Sequence, residues 1–267
     1  RDVPLSCGEF DFDSYIEHII NFLKIIGPQT HLMAVCQPTV ACLAATAIMS
    51  EDKSPYVPAS LTLMAGPIDV SQSPTKVNEL ATSKPLSWFE EKLIGVIPNQ
   101  FNGVGRKVYP GFLQLMAFMS MNPDRHAESF RKLYDYRISG ETEKADAIHD
   151  FYEEYFAIMD LSAAFYLETI QKVFMDRDLA KGKLIYQGRL VNPKLIKKTF
   201  LLTVEGERDD ICGIGQTLAA QDLCAGLPGY MKSHHLQAGV GHYGVFNGKR
   251  WDGQIYPVVR NHIQSAL

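Results

Sequence analysis

The chain has 267 residues, 46% hydrophobic and 21% charged, with 20 Gly and 14 Pro, the balance of an ordinary globular protein rather than a disordered or fibrous one. Lys and Arg (26) nearly balance Asp and Glu (30), a formal net charge of −4 with no basic stripe, which excludes nucleic acid as the main partner because phosphate binding needs a basic footprint. Five cysteines, at 7, 36, 42, 212 and 224, are widely spread and form no C-x-x-C, so a disulfide framework and a zinc site are both disfavoured and free thiols in a reducing compartment are expected.

The acidic start (Asp2, Glu9, Asp11, Asp13) holds no apolar leader, so no signal peptide is expected. No apolar run approaches about 18 residues, so no transmembrane segment is expected. The composition reads as that of a cytoplasmic, soluble protein. Phe12, Tyr15, Ile16, Ile19, Phe22, Leu23 and Ile26 recur at helical spacing, with Asp11 or Asp13 able to cap the start and Gly27-Pro28 to end it. His31–Val35 is a short apolar run of strand length, Thr39–Met49 an Ala-rich buried helix, and Leu61–Ala65 a second strand stopped by Gly66-Pro67. Helix, strand, helix, strand at this spacing predicts parallel βαβ units.

From residue 70 to about 190 strand signals are few and helical ones many, as in Arg125–Arg137, Glu141–Met159 and Ser162–Val173. More than half of the aromatic residues fall between 85 and 166. This stretch reads as a helical subdomain with its own aromatic core, or as a lid over an apolar cleft. The strand pattern then returns with Thr199–Val204, a helix through Gly215–Leu223, a short strand His234–Gln237, the glycine-rich loop Ala238–Gly244 and a closing helix over Gly253–Ala266. One α/β sheet carrying a large helical insertion is expected. Its parts are 1–69 (core with the nucleophile turn), 70–190 (helical cap or lid) and 191–267 (core with acid and histidine).

Open α/β sheets bind ligands at the carboxyl ends of their strands. Cys36 follows the first predicted strand, Asp209-Asp210 the third and His242 the fourth, which is the nucleophile–acid–histidine order of α/β-hydrolases. A thiol on a strand-to-helix turn sits at the positive end of a helix dipole, and Pro38 is tolerated in the first helical turn. The backbone N–H of Gln37 points where an oxyanion would form. His242 can take the thiol proton and later activate water, with Asp209 or its neighbour Asp210 fixing the imidazole. Ala34 and Pro38 stand where a G-x-S-x-G motif has small residues.

Val35–Pro38, Gly66–Asp69, Pro85–Phe89, Val108–Phe112, Met121–His126, Thr203–Glu207 and Gly241–Val245 together resemble the intracellular poly(3-hydroxybutyrate) depolymerases, α/β-hydrolases with a cysteine in place of the lipase serine. The resemblance runs over nearly the whole chain. It implies an α/β-hydrolase fold, no cofactor or metal, and hydrolysis of 3-hydroxyacyl esters at cytoplasmic polymer granules. Cys36 matches the nucleophile, His242 the histidine and Asp209 the acid, with Asp210 as the adjacent alternative. The first strands of such a sheet, and the loop giving the second oxyanion donor, have no counterpart before Arg1, so an unpaired sheet edge and poor activity of this chain alone are expected.

The leading expectation is therefore a thiol ester hydrolase acting through an acyl-enzyme, with the aromatic insertion holding the apolar polyester. Acyl transfer, as in the related polyester synthases, and a non-catalytic granule-binding protein are the alternatives. Homo-oligomerisation is left open.

Overall fold

In the computed structural model, which describes residues 1–121 and 123–267, the chain divides into two units. One comprises Phe10–Leu86 and Leu167–Leu267, the other Arg1–Glu9 and Ser87–Tyr166. Asn122, within the Met121–His126 motif, lies outside the described residues.

The first unit starts with helix α1 (Phe12–Ile26), where the Asp11 carboxylate accepts the Ser14 N–H at 2.7 Å and so satisfies an open donor of the first turn. Phe12, Ile16, Ile19, Ile20 and Leu23 form its buried stripe. Strand β1 (His31–Val35) leads into helix α2 (Pro38–Glu51), buried continuously from Thr39 to Met49 because it packs on α1 as well as on β1 and on strand β2 (Ser60–Met64). Helix α3 (Lys76–Ser83) carries a Thr75/Asn78 capping box. Later come β3 (Phe200–Gly206), α4 (Ala219–Leu223), β4 (Lys232–Gln237) and α5 (Tyr256–Ser265).

The four strands form one parallel sheet in the order β1-β2-β3-β4. Every residue of β2 is buried, as in a parallel sheet covered on both faces, whereas β1 and β4 are partly exposed edges. Met64, Leu202 and Val204 pack with Val240, Val245, Ile255 and Val259. The register sets Val35 opposite Met64 and Met64 opposite Val204, so the segments after β1, β2 and β3 all leave the sheet at one end.

Three elements differ from the periodicity reading. The helix expected over Gly215–Leu223 begins only at Ala219, because the Glu205 carboxylate takes the N–H groups of Gly215, Thr217 and Leu218. The closing α-helix begins at Tyr256, after a π-helical turn over Trp251–Ile255. Among the described residues between 70 and 190 there are five two- or three-residue strands, too short for a period-2 pattern to register.

The second unit holds a three-stranded antiparallel sheet (Gly95–Val96, Lys107–Tyr109, Leu161–Ser162) and the helices Gly111–Met121, Pro123–Ser139 and Thr142–Phe156. Its aromatic residues pack together: Phe130 stacks on Tyr152 at 4.4 Å, Phe118 meets Tyr155 edge-on, and His126 Nδ1 lies 2.9 Å from the Tyr152 hydroxyl. Arg106 donates to the carbonyls of Val3, Pro4 and Gly8, fixing the amino-terminal segment within this unit. Among the described residues, no helix is long and apolar enough to cross a membrane.

Candidate active site

At the end of β1 the Cys36 N–H donates to the Met64 carbonyl at 2.9 Å, prolonging the ladder by one residue. The backbone then turns sharply: Cys36 has φ +65°, a left-handed conformation costing a side-chain-bearing residue about 1–2 kcal/mol. The turn is held from the helix side, where the Thr39 N–H (3.1 Å) and hydroxyl (2.7 Å) both donate to the Cys36 carbonyl. Gly66, just past β2, presses on the same place. A Cβ there would sit 2.0 Å from Thr39 Oγ1, so only glycine lets the two loops close. Cys36 is left partly exposed. Gln37 enters α2 in helical conformation (φ −53°, ψ −40°), with its N–H at the amino end of the helix beside the sulfur.

The other two residues come from the loops after β3 and β4. Asp209 Oδ1 accepts the N–H groups of Ile211 (2.9 Å) and Cys212 (2.8 Å), an Asx turn that sets the carboxylate plane. Its Oδ2 lies 2.8 Å from His242 Nδ1, with both side chains buried. A carboxylate only accepts, so Nδ1 carries a proton and Nε2 is left for Cys36, the other group that acts on the ring. Burial alone would lower the ring's affinity for a proton. The hydrogen bonds to Asp209 and Cys36 and the charges of both outweigh it, pushing His242 up to about 10.

The two loops are tied together. Arg208 N–H donates to the Val240 carbonyl at 2.9 Å, Gly239 N–H to Glu207 Oε2 at 2.7 Å, and Glu207 N–H to the Gln237 carbonyl at 3.0 Å. Tyr243 and Phe246 meet the His242 ring edge-on.

Cys36, His242 and Asp209, far apart in sequence, thus meet at one point, with Gln37 adjoining the sulfur. Asp210, the alternative acid, faces solvent on the exposed side of the same loop. Sequence reasoning missed the supporting residues Thr39, Gly66, Thr217 and Glu205. One signal was available for the last: a carboxylate, Glu205, directly following the largely apolar run Leu201–Val204, in a strand that buries it to 1% exposure.

A sequence profile for the family described as PHB de-polymerase C-terminus matches residues 65–266. No curated protein sequence matches. Among solved structures, a monoacylglycerol lipase from Paleococcus ferrophilus shares 9% identity at a TM-score of 0.53, the match covering 96% of this chain and 77% of the lipase. An epoxide hydrolase from Bacillus megaterium, solved with an inhibitor, shares 13% identity at a TM-score of 0.50, over 96% of this chain and 76% of that one. Likeness at these identities concerns the fold, a parallel sheet with flanking helices of the α/β-hydrolase type. With three-quarters of its length matched by the profile, the chain belongs to the PHB de-polymerase C-terminus family and is an ester hydrolase of α/β-hydrolase fold.

Proposed function

We propose that this chain cleaves the ester bonds of poly(3-hydroxybutyrate)-type polyester, releasing 3-hydroxy acids or short oligomers, through a Cys36–His242–Asp209 triad. One observation carries the reading: an imidazole bonded to a buried carboxylate, with the thiol that acts on it held on a strained strand-to-helix turn.

With the Cys36 proton on His242 Nε2, the sulfur bonds to the ester carbonyl carbon and the carbonyl electrons move onto oxygen. The Gln37 N–H faces that oxyanion. Collapse breaks the C–O bond to the leaving alkoxide, which takes the proton from His242, and a thioester remains on Cys36. Water then attacks the thioester, giving a proton to His242. The sulfur departs and recovers that proton, and the free acid is released. Asp209 keeps the ring in the required tautomer and stabilises its protonated form throughout.

The helical insertion, with Phe112, Met116, Phe118 and Met121 exposed on one uncharged helix, would hold the apolar polyester. Five free cysteines fit a reducing cytoplasm in which such a polymer forms granules.

The test is hydrolysis of p-nitrophenyl 3-hydroxybutyrate and of emulsified amorphous polyester, with released acid quantified. Cys36→Ala should abolish both activities, and an acyl adduct on Cys36 should appear by mass spectrometry in rapidly quenched reactions. Full activity in Cys36→Ala would overturn the reading. Chain growth from a coenzyme A thioester, in place of free acid, would make the chain an acyltransferase.

A further inference from the structure

Glu205 is a carboxylate in the interior, 1% exposed, the second-last residue of β3 and four residues before Asp209. Its Oε1 accepts the N–H groups of Gly215 (3.0 Å), Thr217 (2.8 Å) and Leu218 (2.9 Å), while Oε2 also receives Gly215 (3.0 Å) and lies 3.9 Å from His234 Nε2. A buried charge is retained only where donors converge on it, and here they come from one loop. Two paths run from that loop to the reacting residues.

Along the first, residues 210–215 are stretched between the Glu205 anchor and the Asx turn in which Ile211 and Cys212 N–H groups grip Asp209 Oδ1. The second runs through the Thr217 hydroxyl, which donates to the Gly66 carbonyl at 3.1 Å and accepts the Gly66 N–H at 2.8 Å. Gly66 is the residue wedged against Thr39, and Thr39 holds the Cys36 carbonyl. The loop is clamped elsewhere as well, by Asp69 N–H on the Gln216 carbonyl and by a Gly213 site where a Cβ would lie 2.0 Å from the Ser73 carbonyl oxygen.

We propose that Glu205 is a positioning residue for ester hydrolysis, its carboxylate setting the acid side and the nucleophile side of the triad at once through the 209–218 loop. The inference rests on the triad reading above. It predicts a kcat effect at a residue that touches neither substrate nor triad side chain.

Three variants test it: Glu205→Leu, which keeps bulk and removes both acceptors, Glu205→Gln, whose amide oxygen can still take the three N–H groups at Oε1, and Thr217→Val, which cuts only the link to Gly66. With p-nitrophenyl 3-hydroxybutyrate, Glu205→Leu should lower kcat about 100-fold and Thr217→Val about 10-fold, with KM within about twofold, the scale of a misplacement near 1 Å. Glu205→Gln should recover most of the loss, and iodoacetamide alkylation of Cys36 in the folded proteins should slow in the same order. Wild-type kcat and alkylation rate in folded Glu205→Leu and Thr217→Val, with only a lower melting temperature, would reduce Glu205 to a structural role and overturn the inference. If Glu205→Leu does not fold, Thr217→Val decides alone. Activity surviving in Cys36→Ala would instead sink the triad reading itself, so the two failures are distinguishable.

Discussion

Replacing Asp209 by Asn probes the electrostatics of the site most directly. The amide removes the negative charge and leaves His242 Nδ1 a neutral partner. The rise of His242 from 6.5 to about 10 corresponds to roughly 5 kcal/mol favouring the imidazolium in the folded chain, at 1.36 kcal/mol per unit. Burial lowers the ring's proton affinity, and the Asp209 hydrogen bond is the largest of the contacts that raise it, followed by Cys36. Loss of Asp209 removes the largest raising contact and so lowers the proton affinity of the ring, taking back part of that roughly 5 kcal/mol.

Because the folded-state value lies above the unfolded one, the stabilisation is fully present below pH 6.5 and lost as pH climbs through about 10. Urea unfolding of wild type and Asp209→Asn should therefore show a stability gap wider at pH 6 than at pH 10.5, by up to about 5 kcal/mol. In the proposed mechanism the alkaline limb of kcat/KM, where the imidazolium that protonates the leaving alkoxide is lost, should move to lower pH, and kcat should fall about 10³–10⁴-fold. A stability gap constant across this range, together with an unmoved alkaline limb, would refute the reasoning.

Gly66→Ala places a methyl 2.0 Å from Thr39 Oγ1 and should cost about 2–3 kcal/mol in urea unfolding while displacing the nucleophile turn; unchanged stability and activity would show that the loops do not need to close. With φ +65° at Cys36, Cys36→Gly should be about 1 kcal/mol more stable than Cys36→Ala, with both inactive, as read by thermal unfolding and ester turnover. Burial pushes the Cys42 and Cys224 thiols up to about 12 and that of Cys212 up as well, so brief native alkylation followed by peptide mapping should label Cys7 and Cys36 and spare the other three; early label on Cys212 would contradict the described packing.

Much of the sheet was legible because parallel strands covered on both faces are short, uninterrupted apolar runs. His31–Val35 coincides with the observed strand, and Leu61–Ala65 is displaced from it by one residue. That Cys36 and His242 follow strands was legible because the strand ends could be located in the sequence. Choosing between Asp209 and Asp210 was not, since adjacent residues differ only in direction and the direction comes from the Asx turn at Ile211 and Cys212. The misread helix over 215–218 has a non-local cause. Periodicity weighs neighbours within a few positions, whereas the group that takes those N–H bonds is Glu205, ten residues upstream of Gly215.

The sheet order itself shows why loop chemistry decides this site. Adjacent strands lie about 4.8 Å apart, so β4 stands about 14 Å from β1, and yet the imidazole that follows β4 meets the sulfur that follows β1. From Gln237 to His242 is five residues, a reach of at most about 16–18 Å when extended, so the loop has little slack if it is to cross two intervening strands. That crossing is supported at each step on the loop after β3: Gln237 on Glu207, Gly239 on the Glu207 carboxylate, Val240 on Arg208, and His242 on Asp209. Gly206 makes the close approach feasible, since a Cβ there would stand 2.9 Å from the Val240 carbonyl oxygen. In the triad proposed above, Asp209 therefore has two tasks of different range, polarising the imidazole and ending a ladder of contacts that carries the imidazole across the sheet. A substitution anywhere along that ladder should reach the chemistry through the His242-to-Cys36 distance before it reaches the stability of the core.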